Sequence, residues 1–419
     1  MDIKICLNMI VKNESKIILR LLDSVSSIID CYCICDTGST DNTKEIITDY
    51  FKSKNITGQI FEEPFVNFEY NRNYSLQKCI GMSDYILLLD ADMVLFINEP
   101  FDKSKLDKDY YYIIQGSESF SYQNIRLIKN NGLFKYVGAT HEYINKPENS
   151  TVGYFTKNQL FINDIGDGGS KIDKYERDIK LLKQGIIDEP HNYRYYFYLA
   201  NSYKDSEKYN EAIDIYKKVL ELNGWTQEKY ISCLRLYELY NKVKTPEIGI
   251  YYLIESYKYD NTRVECIFQL IKYYCIKNQS EVAYSFYSLI QKYYENDYLN
   301  DVFNNKLFVN MFDYSFYLPY YMIIVSIILQ KYEIGLKMYD IIFTKKQINI
   351  HIFWIENLIH NLYFFYLKTK DESFFKKWKE YLELIKTKYP DIENTLIRKY
   401  NFLTPLFFNH NFFLMCINK

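Results

Sequence analysis

An apolar run that ends in two aspartates constrains this chain more than any other feature. Residues 85–94 read YILLLDADMV, so five apolar or aromatic residues stand directly before Asp90-Ala91-Asp92. Such a run predicts a buried parallel strand with two carboxylates at its carboxyl end. Open α/β sheets bind ligands at that end, and two such aspartates can ligate a divalent cation that in turn holds a diphosphate. A solvated turn after a strand is the alternative that this motif alone leaves open.

Strand-like and helix-like segments alternate over the first hundred residues, and further strand-like runs follow. This alternation predicts βαβ units and a largely parallel sheet. Neither a dinucleotide-binding fingerprint nor a P-loop occurs in the sequence. The predicted strands lie at 3–11, 31–35, 59–62, 85–89, 110–114, 124–128 and 159–163.

A polar turn follows the second predicted strand. In the sequence DTGSTDNT (36–43), Gly38 permits a tight turn, and one of the polar residues 39–41 is expected to cap the next helix. Ser15 is expected to cap the first helix in the same way. A strand, a glycine turn and a helix N-terminus together suit an anion or a nucleotide. A well-capped connection without a ligand is the alternative.

Histidine is rare in this chain, with five residues in all. His141 and Glu142 stand close after Gly138, and an imidazole beside a carboxylate can serve as a metal ligand and a base. The alternative is a satisfied surface or core pair. The turn at 164–171 follows the last predicted strand, and its three glycines indicate unusual backbone dihedral angles.

Helical periodicity replaces strand alternation after residue 171. The small residues Ala212, Gly249 and Ala283 recur close to the spacing of about 34 residues that is typical of tetratricopeptide repeats. An irregular helical bundle is the alternative. Three parts are therefore predicted, namely an α/β domain at 1–170, helical repeats at 171–298 and a further helical region at 299–419.

Aromatic residues are frequent in the helical part. Tyr195, Tyr196 and Tyr198, and the run near Phe364 and Tyr366, could form an acceptor groove or the seam of a homodimer, while core packing is the alternative. The apolar tail after residue 399 is expected to dock on a surface.

Composition narrows the classes of partner and the compartment. The formal net charge is −2, so no global field attracts nucleic acid or an anionic membrane. The nine cysteines are scattered, and the alternating set at 31, 33 and 35 shares one strand face, which favours reduced core thiols over a zinc knuckle. No signal peptide or membrane-spanning run is recognised. A cytoplasmic or cytosol-facing protein is expected.

Six motifs in chain order resemble family 2 glycosyltransferases with the GT-A nucleotide-sugar fold, in the subgroup fused to tetratricopeptide-like repeats. The resemblance covers roughly residues 1–290. The motifs are MIVKNE (9–14), DTGSTDNT (36–43), F-x-x-x-RN (68–73), LLLDAD (87–92), G-x-x-HE (138–142) and the repeat that begins near Arg194.

The resemblance implies a fold and a function. The fold is an α/β GT-A domain with a mostly parallel mixed sheet, followed by an all-α domain of tetratricopeptide-like repeats. The function is inverting transfer of a sugar from a nucleotide-sugar donor, with a UDP-sugar favoured, to a hydroxyl of a glycan, protein or lipid. The implied cofactor is Mn²⁺ or Mg²⁺.

The resemblance also implies roles for particular residues. Two departures from the family pattern weaken it locally, because Met93 stands where the family often has an acid, and Asp167-Gly168-Gly169 stands where many relatives have a histidine. The implied residues are Asn13, Glu14, Asp36 and Arg72 for the nucleotide, Asp90 for the nucleotide sugar and the cation, Asp92 and His141 for the cation, and Glu142, with Glu118 second, as the base.

Two other functions remain open at this point. The first is a catalytically inactive GT-A domain that serves a repeat scaffold. The second is a nucleotidyltransferase, which also uses paired aspartates but usually carries a glycine-rich basic loop near its N-terminus. Lys4 and Lys12 do not form such a loop.

Overall fold

The computed structural model describes residues 2–116, 121–168, 173–295, 306–345, 350–358, 361, 383–384 and 386–390. An α/β sheet domain followed by helices confirms the predicted fold class. The chain divides into two compact units, Met1–Ile215 and Tyr216–Lys419. Both predicted domain boundaries, at 170 and 298, lie outside the described residues and stay predictions. Glu118, Gly169, Phe364, Tyr366, Cys416 and the tail after 399 also lie outside them.

The first unit contains a large sheet and a small hairpin. Four short strands, β5, β8, β9 and β10, were not predicted. The strands are β1 Ile5–Val11, β2 Cys31–Asp36, β3 Thr57–Glu62, β4 Tyr85–Leu88, β5 Met93–Ile97, β6 Tyr110–Gly116, β7 Ser121–Lys129, β8 Lys135–Val137, β9 Tyr143–Asn145, β10 Val152–Tyr154 and β11 Leu160–Asp164.

The order of the strands brings the predicted ligand-binding ends together. Within the described residues, the sheet runs β3-β2-β1-β4-β7-β6-β11-β5, with β10 paired to β6 and the β8-β9 hairpin separate. The strands β3, β2, β1 and β4 are mutually parallel, and β7 is antiparallel to β4. In this register Val11 lies beside Asp36, and Asn8 beside Leu88. The carboxyl ends of β2 and β4 therefore lie at one edge of the sheet.

Three helices pack with the parallel half of the sheet, and three more follow it. The apolar stripe of α1, from Ile18 to Val25, is buried as its helical spacing predicts. The last of these six helices extends past Ile215, where the first unit ends. The helices are α1 Ile18–Val25, α2 Thr43–Ser53, α3 Phe68–Cys79, α4 Lys174–Asp188, α5 Arg194–Asp205 and α6 Tyr209–Glu221.

The predicted cap of the first helix is wrong. Helix α1 begins at Ile18, and the residue before it, Ile17, makes no side-chain capping bond. The backbone N–H of Ser15 instead donates to Asp41 at 3.2 Å. Ser15 lies too far upstream because the chain first makes a turn, in which Ile17 and Ile18 donate to the carbonyl of Glu14.

The second unit is helical throughout its regular elements in the described residues. Gly249 packs against Tyr237, where an added Cβ would lie 3.2 Å from the Tyr237 Cα, so a small residue is needed at this helix crossing. Assignment of these helices to tetratricopeptide repeats stays a prediction. The helices are α7 Thr226–Lys242, α8 Pro246–Tyr259, α9 Glu265–Ile276, α10 Ser280–Glu295, α11 Leu318–Ile328 and α12 Tyr332–Lys345.

A buried ion pair and a buried acid mark the core of the second unit. Arg263 is fully buried and pairs with Glu265 at 2.6 Å. Asp313 lies in a π-helical turn before α11 and accepts a hydrogen bond from Asn310. Burial raises the pKa of Asp313 to about 8, and the charge of Glu265 contributes to the rise.

The described cysteines are buried and unbridged, as expected of core thiols. Four of them, on β1, β2 and α3, lie close together, and the sulfurs of Cys6 and Cys79 are 3.4 Å apart. Among the described helices, none combines the length and the apolarity that a bilayer crossing requires.

Candidate active site

The acidic residues predicted for ligand binding lie at one edge of the sheet. Asp36 is the last residue of β2, and Asp90 and Asp92 follow β4, which is separated from β2 only by β1. A turn closes after β4 because Met93 N–H donates to the Asp90 carbonyl at 3.0 Å. The sheet thus places carboxylates of two segments at its carboxyl edge, as the sequence predicts.

Asp36 has an unusual hydrogen-bonding state. The residue is 2% exposed, and its Oδ2 accepts from the backbone N–H groups of Gly38 and Ser39 at 3.1 and 2.9 Å. Gly38 has a φ of +108°, which favours glycine. The second oxygen, Oδ1, is buried and has no hydrogen-bond partner among the described residues. A buried carboxylate oxygen without a donor is costly, so a donor on a ligand would stabilise it.

Asn13 and Glu14 lie against the turn that follows β2. Asn13 N–H donates to Ser39 Oγ at 3.0 Å, and Asn13 Oδ1 accepts from Thr40 N–H at 2.8 Å. Glu14 N–H donates to Thr43 Oγ1 at 2.8 Å. The structure therefore brings both residues beside the turn at 36–43, as the resemblance implies.

Asp41 ties the same two segments together. Its carboxylate accepts from Ser15 N–H at 3.2 Å, from Thr43 N–H at 3.1 Å and from the Thr43 hydroxyl at 2.5 Å. Burial alone would raise the pKa of Asp41, but these hydrogen bonds outweigh it and lower the pKa to about 2. The N-cap position of α2 is Asn42, which makes no side-chain capping bond, so the prediction of a cap within 39–41 is wrong by one residue, although Asp41 still accepts from the N–H of the first helical residue.

Arg72 on α3 bridges two acidic residues of the candidate site. Its Nη2 lies 2.6 Å from Asp90 Oδ1, and its Nε donates to Glu142 Oε1 at 2.5 Å. The guanidinium also lies over the ring of Tyr136, 5.3 Å from the centroid. Although burial opposes its charge, Asp90 and Glu142 raise the pKa of Arg72 above its ordinary value. The Arg72 side chain is thus 11% exposed, charged and fixed next to the predicted cation ligand.

Arg126 on β7 is a site residue that sequence reasoning did not assign. Its Nη1 lies 3.6 Å from Asp90 Oδ2, and its Nε donates to Gln115 Oε1 at 2.7 Å. Arg126 is 7% exposed and lies between the apolar residues Ile125 and Leu127 of β7. A charged residue at a buried strand position was the available signal, because buried charges are normally paired.

Asp92 is covered by the segment that follows β11. A Cβ on Gly168 would lie 3.1 Å from Asp92 Oδ2, so the backbone approaches this carboxylate closely. Arg20 on α1 holds the segment by two hydrogen bonds to Asp167, at 3.0 and 2.6 Å. The hydrogen bond to Asp167 is the main reason that the pKa of Arg20 is raised, and the charge of Asp92 adds to it. The departure Asp167-Gly168 therefore has a structural role of its own.

His141 packs against a helix rather than in a ready-made metal site. Its ring stacks on Tyr198 of α5, with centroids 4.3 Å apart and an angle of 16°. Burial lowers the pKa of His141, against the charge of Asp178. The imidazole therefore favours its neutral form, which is the form that binds metals.

The predicted set Asp90, Asp92 and His141 does not form a preformed cage. Within the described ranges, no three or more His, Cys, Asp or Glu side chains are placed to hold a metal ion. A cation shared with a ligand is a different case, because Mg²⁺ is commonly held by one or two carboxylates together with substrate phosphates and water. Cation binding by the two aspartates after β4 therefore stays a prediction.

Of the two candidate bases, only Glu142 lies within the described residues. Glu118 lies outside the described residues. The Glu142 side chain is 13% exposed and accepts a hydrogen bond from Arg72, so its carboxylate is held in one orientation by a guanidinium. Its role as the base stays a prediction.

Comparisons with known proteins find a family model and several relatives. The family model "Glycosyl transferase family 2" matches residues 6–149, which contain Asp36, Arg72, Asp90 and His141. A glycosyltransferase derived from prophage SPbeta, SunS of Bacillus subtilis (strain 168), is 27% identical over 224 residues, which are 50% of this chain and 51% of that protein. This chain therefore matches only about half the length of that relative.

Two further likenesses are weaker. An uncharacterized glycosyltransferase of Rickettsia prowazekii (strain Madrid E), RP128, is 32% identical over 89 residues, or 21% of this chain and 28% of that protein. The structure of S. aureus TarS 1–349 in complex with UDP-GlcNAc is 13% identical with a TM-score of 0.34, and covers 61% of this chain and 91% of that one. At that TM-score the structural likeness carries no weight. The segment 6–149 of this chain is thus similar to the glycosyltransferases of family 2.

Proposed function

We propose that this protein transfers a sugar from a nucleotide-sugar donor to a hydroxyl-bearing acceptor, and that it requires a divalent cation. The donor edge is the carboxyl end of β2 and β4, where Asp36, Asp90 and Asp92 lie beside Arg72. A UDP-sugar is the favoured donor, and the acceptor is a glycan, a protein or a lipid. The transfer is a single displacement that inverts the anomeric centre.

The buried, unpartnered Oδ1 of Asp36 is the observation that carries the proposal. No donor among the described residues reaches this oxygen, and a ligand could supply one. The imide N–H of uracil is such a donor, and it belongs to the part of a UDP-sugar that lies furthest from the reacting bond. A scaffold protein has no need of a buried carboxylate oxygen without a partner.

The residues after β4 supply the other half of the donor site. Asp90 and Asp92 would hold Mn²⁺ or Mg²⁺ together with the diphosphate, in the arrangement in which a cation is shared between carboxylates and a ligand. The bound cation supplies Lewis-acid stabilisation of the charge on the departing diphosphate. Arg72 and Arg126 place two further positive charges at Asp90 and keep its carboxylate oriented.

The proton of the acceptor hydroxyl needs a base on the side of the sugar opposite to the diphosphate. Glu142 is the proposed base among the described residues, because it is a carboxylate of the same site, linked to Asp90 through their shared partner Arg72, and comes from a different segment, the loop at 138–142. Glu118 is the second candidate. As Glu142 accepts from Arg72, ligand contacts that draw the guanidinium away would increase its ability to accept a proton.

A thermal-shift panel tests the proposal. UDP-, GDP-, dTDP- and CMP-sugars are each added with Mn²⁺, Mg²⁺ or EDTA to the wild type, Asp36→Asn and Asp92→Ala. Stabilisation by UDP-sugars alone, which requires a cation and is lost in Asp92→Ala, is expected because ligands that bind only the folded state raise the melting temperature. Asp36→Asn is expected to reduce the part of the melting-temperature increase that is specific to uracil. The amide of Asn offers a donor at the position where the ligand also donates.

Other outcomes point elsewhere. Equal stabilisation in EDTA, or an undiminished response of Asp92→Ala, would contradict the cation requirement. The absence of a shift with every nucleotide sugar would favour the inactive scaffold. Product analysis by NMR with the selected donor then gives the anomeric configuration, and retention would contradict the single displacement.

A further inference from the structure

The loop at 138–142 is held at each of its five positions. Two of the contacts come from α3. Gly138 N–H donates to Glu69 Oε2 at 2.6 Å, and Glu142 accepts from Arg72 Nε at 2.5 Å. These contacts belong to the part of the chain that the family model covers.

Two more contacts come from α4 and α5, which lie beyond the family match. Ala139 N–H donates to Tyr195 Oη at 3.3 Å. The Thr140 hydroxyl donates to Asp178 Oδ1 at 3.3 Å, and Asp178 is 1% exposed. Both helical side chains are buried, so their contacts with the loop are shielded from water. Hydrogen bonds are stronger in such a shielded environment than in water.

The fifth contact is the aromatic stack between His141 and Tyr198. A separation of 4.3 Å at an angle of 16° leaves the imidazole little freedom to rotate. Tyr198 is in turn held by Arg194, whose Nη2 donates to Tyr198 Oη at 2.9 Å and whose guanidinium lies 4.6 Å from the ring centroid. The same guanidinium lies over Tyr143, the second residue after His141.

The backbone of His141 explains why such support is needed. Its φ is +54°, in the left-handed region that residues other than glycine rarely adopt. A residue persists there only when its surroundings fix it. Since Glu142 is the next residue, the dihedral angles of His141 also set the direction in which Glu142 leaves the loop.

We propose that Tyr198 is a positioning residue of the transferase site. Its ring fixes the side chain of His141 and the left-handed backbone of the loop, and so holds Glu142 in the orientation that transfer requires. The helices α4 and α5 are therefore part of the active site rather than a separate appendage. This inference rests on the proposed glycosyl transfer, but its structural half can be tested without any substrate.

The test compares three variants of the full chain. Tyr198→Leu removes the stack, Tyr198→Phe keeps the ring, and Tyr196→Leu is the matched control, because Tyr196 lies on the same helix and is half-buried. The measurements are kcat for transfer, the Kd for UDP with Mn²⁺, the melting temperature, and amide hydrogen exchange of the peptide that contains the loop at 138–142.

Tyr198→Leu is expected to lower kcat by about 10- to 100-fold, the range for residues that orient a functional side chain. The Kd for UDP is expected to change by less than about threefold, because the contacts of Tyr198 described above are with His141 and Arg194, which are not assigned to the nucleotide. Hydrogen exchange is expected to rise in the loop peptide and to stay unchanged in the strands. Tyr198→Phe should have the kcat and the loop hydrogen exchange of the wild type, and so should Tyr196→Leu.

Two results overturn the inference. One is a kcat for Tyr198→Leu within about twofold of the wild type, and the other is unchanged exchange of the loop peptide. If Tyr198→Leu does not fold, Tyr198→Met decides in its place, since it also removes the aromatic ring from His141 but offers a flexible side chain that can fill the gap. A wild type without transfer activity contradicts the proposed function instead, and the exchange data still decide the role of Tyr198.

Discussion

Replacement of Arg72 by methionine is expected to destabilise the first unit and to abolish the donor site together. Arg72 is the shared partner of Asp90 and Glu142, at 2.6 and 2.5 Å. Methionine keeps most of the side-chain volume and its contact with Tyr136 but removes the charge and all hydrogen bonds. Two carboxylates then face each other without the guanidinium that separates them.

The magnitude follows from burial. Removal of one partner from a fully buried ion pair costs about 3–5 kcal/mol. The side chains of Asp90 and Glu142 are 26% and 13% exposed, so water recovers part of this energy, and we expect a loss of about 2–3 kcal/mol. For a unit of this size, each kcal/mol lowers the melting temperature by about 2–4 °C, so a decrease of about 4–12 °C is expected.

Thermal and urea unfolding measure this loss, and a double-mutant cycle assigns its cause. Adding Glu142→Gln to Arg72→Met removes one of the two facing charges and should recover about 1 kcal/mol. Arg72→Lys is the matched control, which keeps the charge but cannot bridge both acids and should lose about 1 kcal/mol. A melting temperature of Arg72→Met within 2 °C of the wild type, or no recovery in the double variant, would refute the bridge as a stabilising element.

Three further perturbations test other parts of the molecule. Gly168→Ala places a Cβ 3.1 Å from Asp92 Oδ2 and is expected to cost about 1 kcal/mol and to reduce the Mn²⁺-dependent thermal shift by UDP; an unchanged shift would contradict the close approach. Asp41 has a lowered pKa of about 2, so its ionised form stabilises the fold at neutral pH and loses that effect as pH falls from about 4 to 2. Asp41→Ala should thus lose about 1 kcal/mol in urea at pH 7 and about half of that at pH 3, whereas a loss that grows toward acid would refute the sign. Asp313 has a raised pKa of about 8, so its ionisation destabilises the second unit increasingly between pH 4 and 8, and Asp313→Asn should raise the melting temperature more at pH 8.5 than at pH 5.5; an equal effect at both would refute it.

Features set by local sequence were predicted well. The apolar run before Asp90 and the glycine turn after Asp36 each encode a strand end and a turn within ten residues, and both lie where the sequence places them. The prediction that Ser15 caps α1 is wrong. The backbone N–H of Ser15 donates to Asp41, which comes from another segment and could not be paired with it from the local sequence. Strand β5 was missed although Met93–Ile97 is an apolar run, because it begins only five residues after the end of β4 and was not separated from it.

In the candidate site too, motif residues were predicted and long-range contacts were not. The family resemblance supplied Asp36, Arg72 and the aspartates after β4, and the structure brings them to one edge. The contacts of Arg126 with Asp90, and of Tyr198 with His141, were not predicted because they join residues that are 36 and more positions apart. Tyr198 was expected to pack in the core or to line a groove, and a tyrosine in a helix carries no sign of which loop its ring will meet.

The division of the chain at Ile215 has a consequence for how such proteins can be recombined. The family match ends at residue 149, which suggests a natural point for exchanging the transferase domain between different helical arrays. Helices α4 and α5, however, provide the hydroxyl of Tyr195 and the carboxylate of Asp178 to the loop at 138–142. A chimera joined directly after the last strand would keep the aspartates. Its loop at 138–142 would then lie against helices from another protein. We therefore expect the sheet and its first two following helices to be inherited as one piece, with the later helices free to vary.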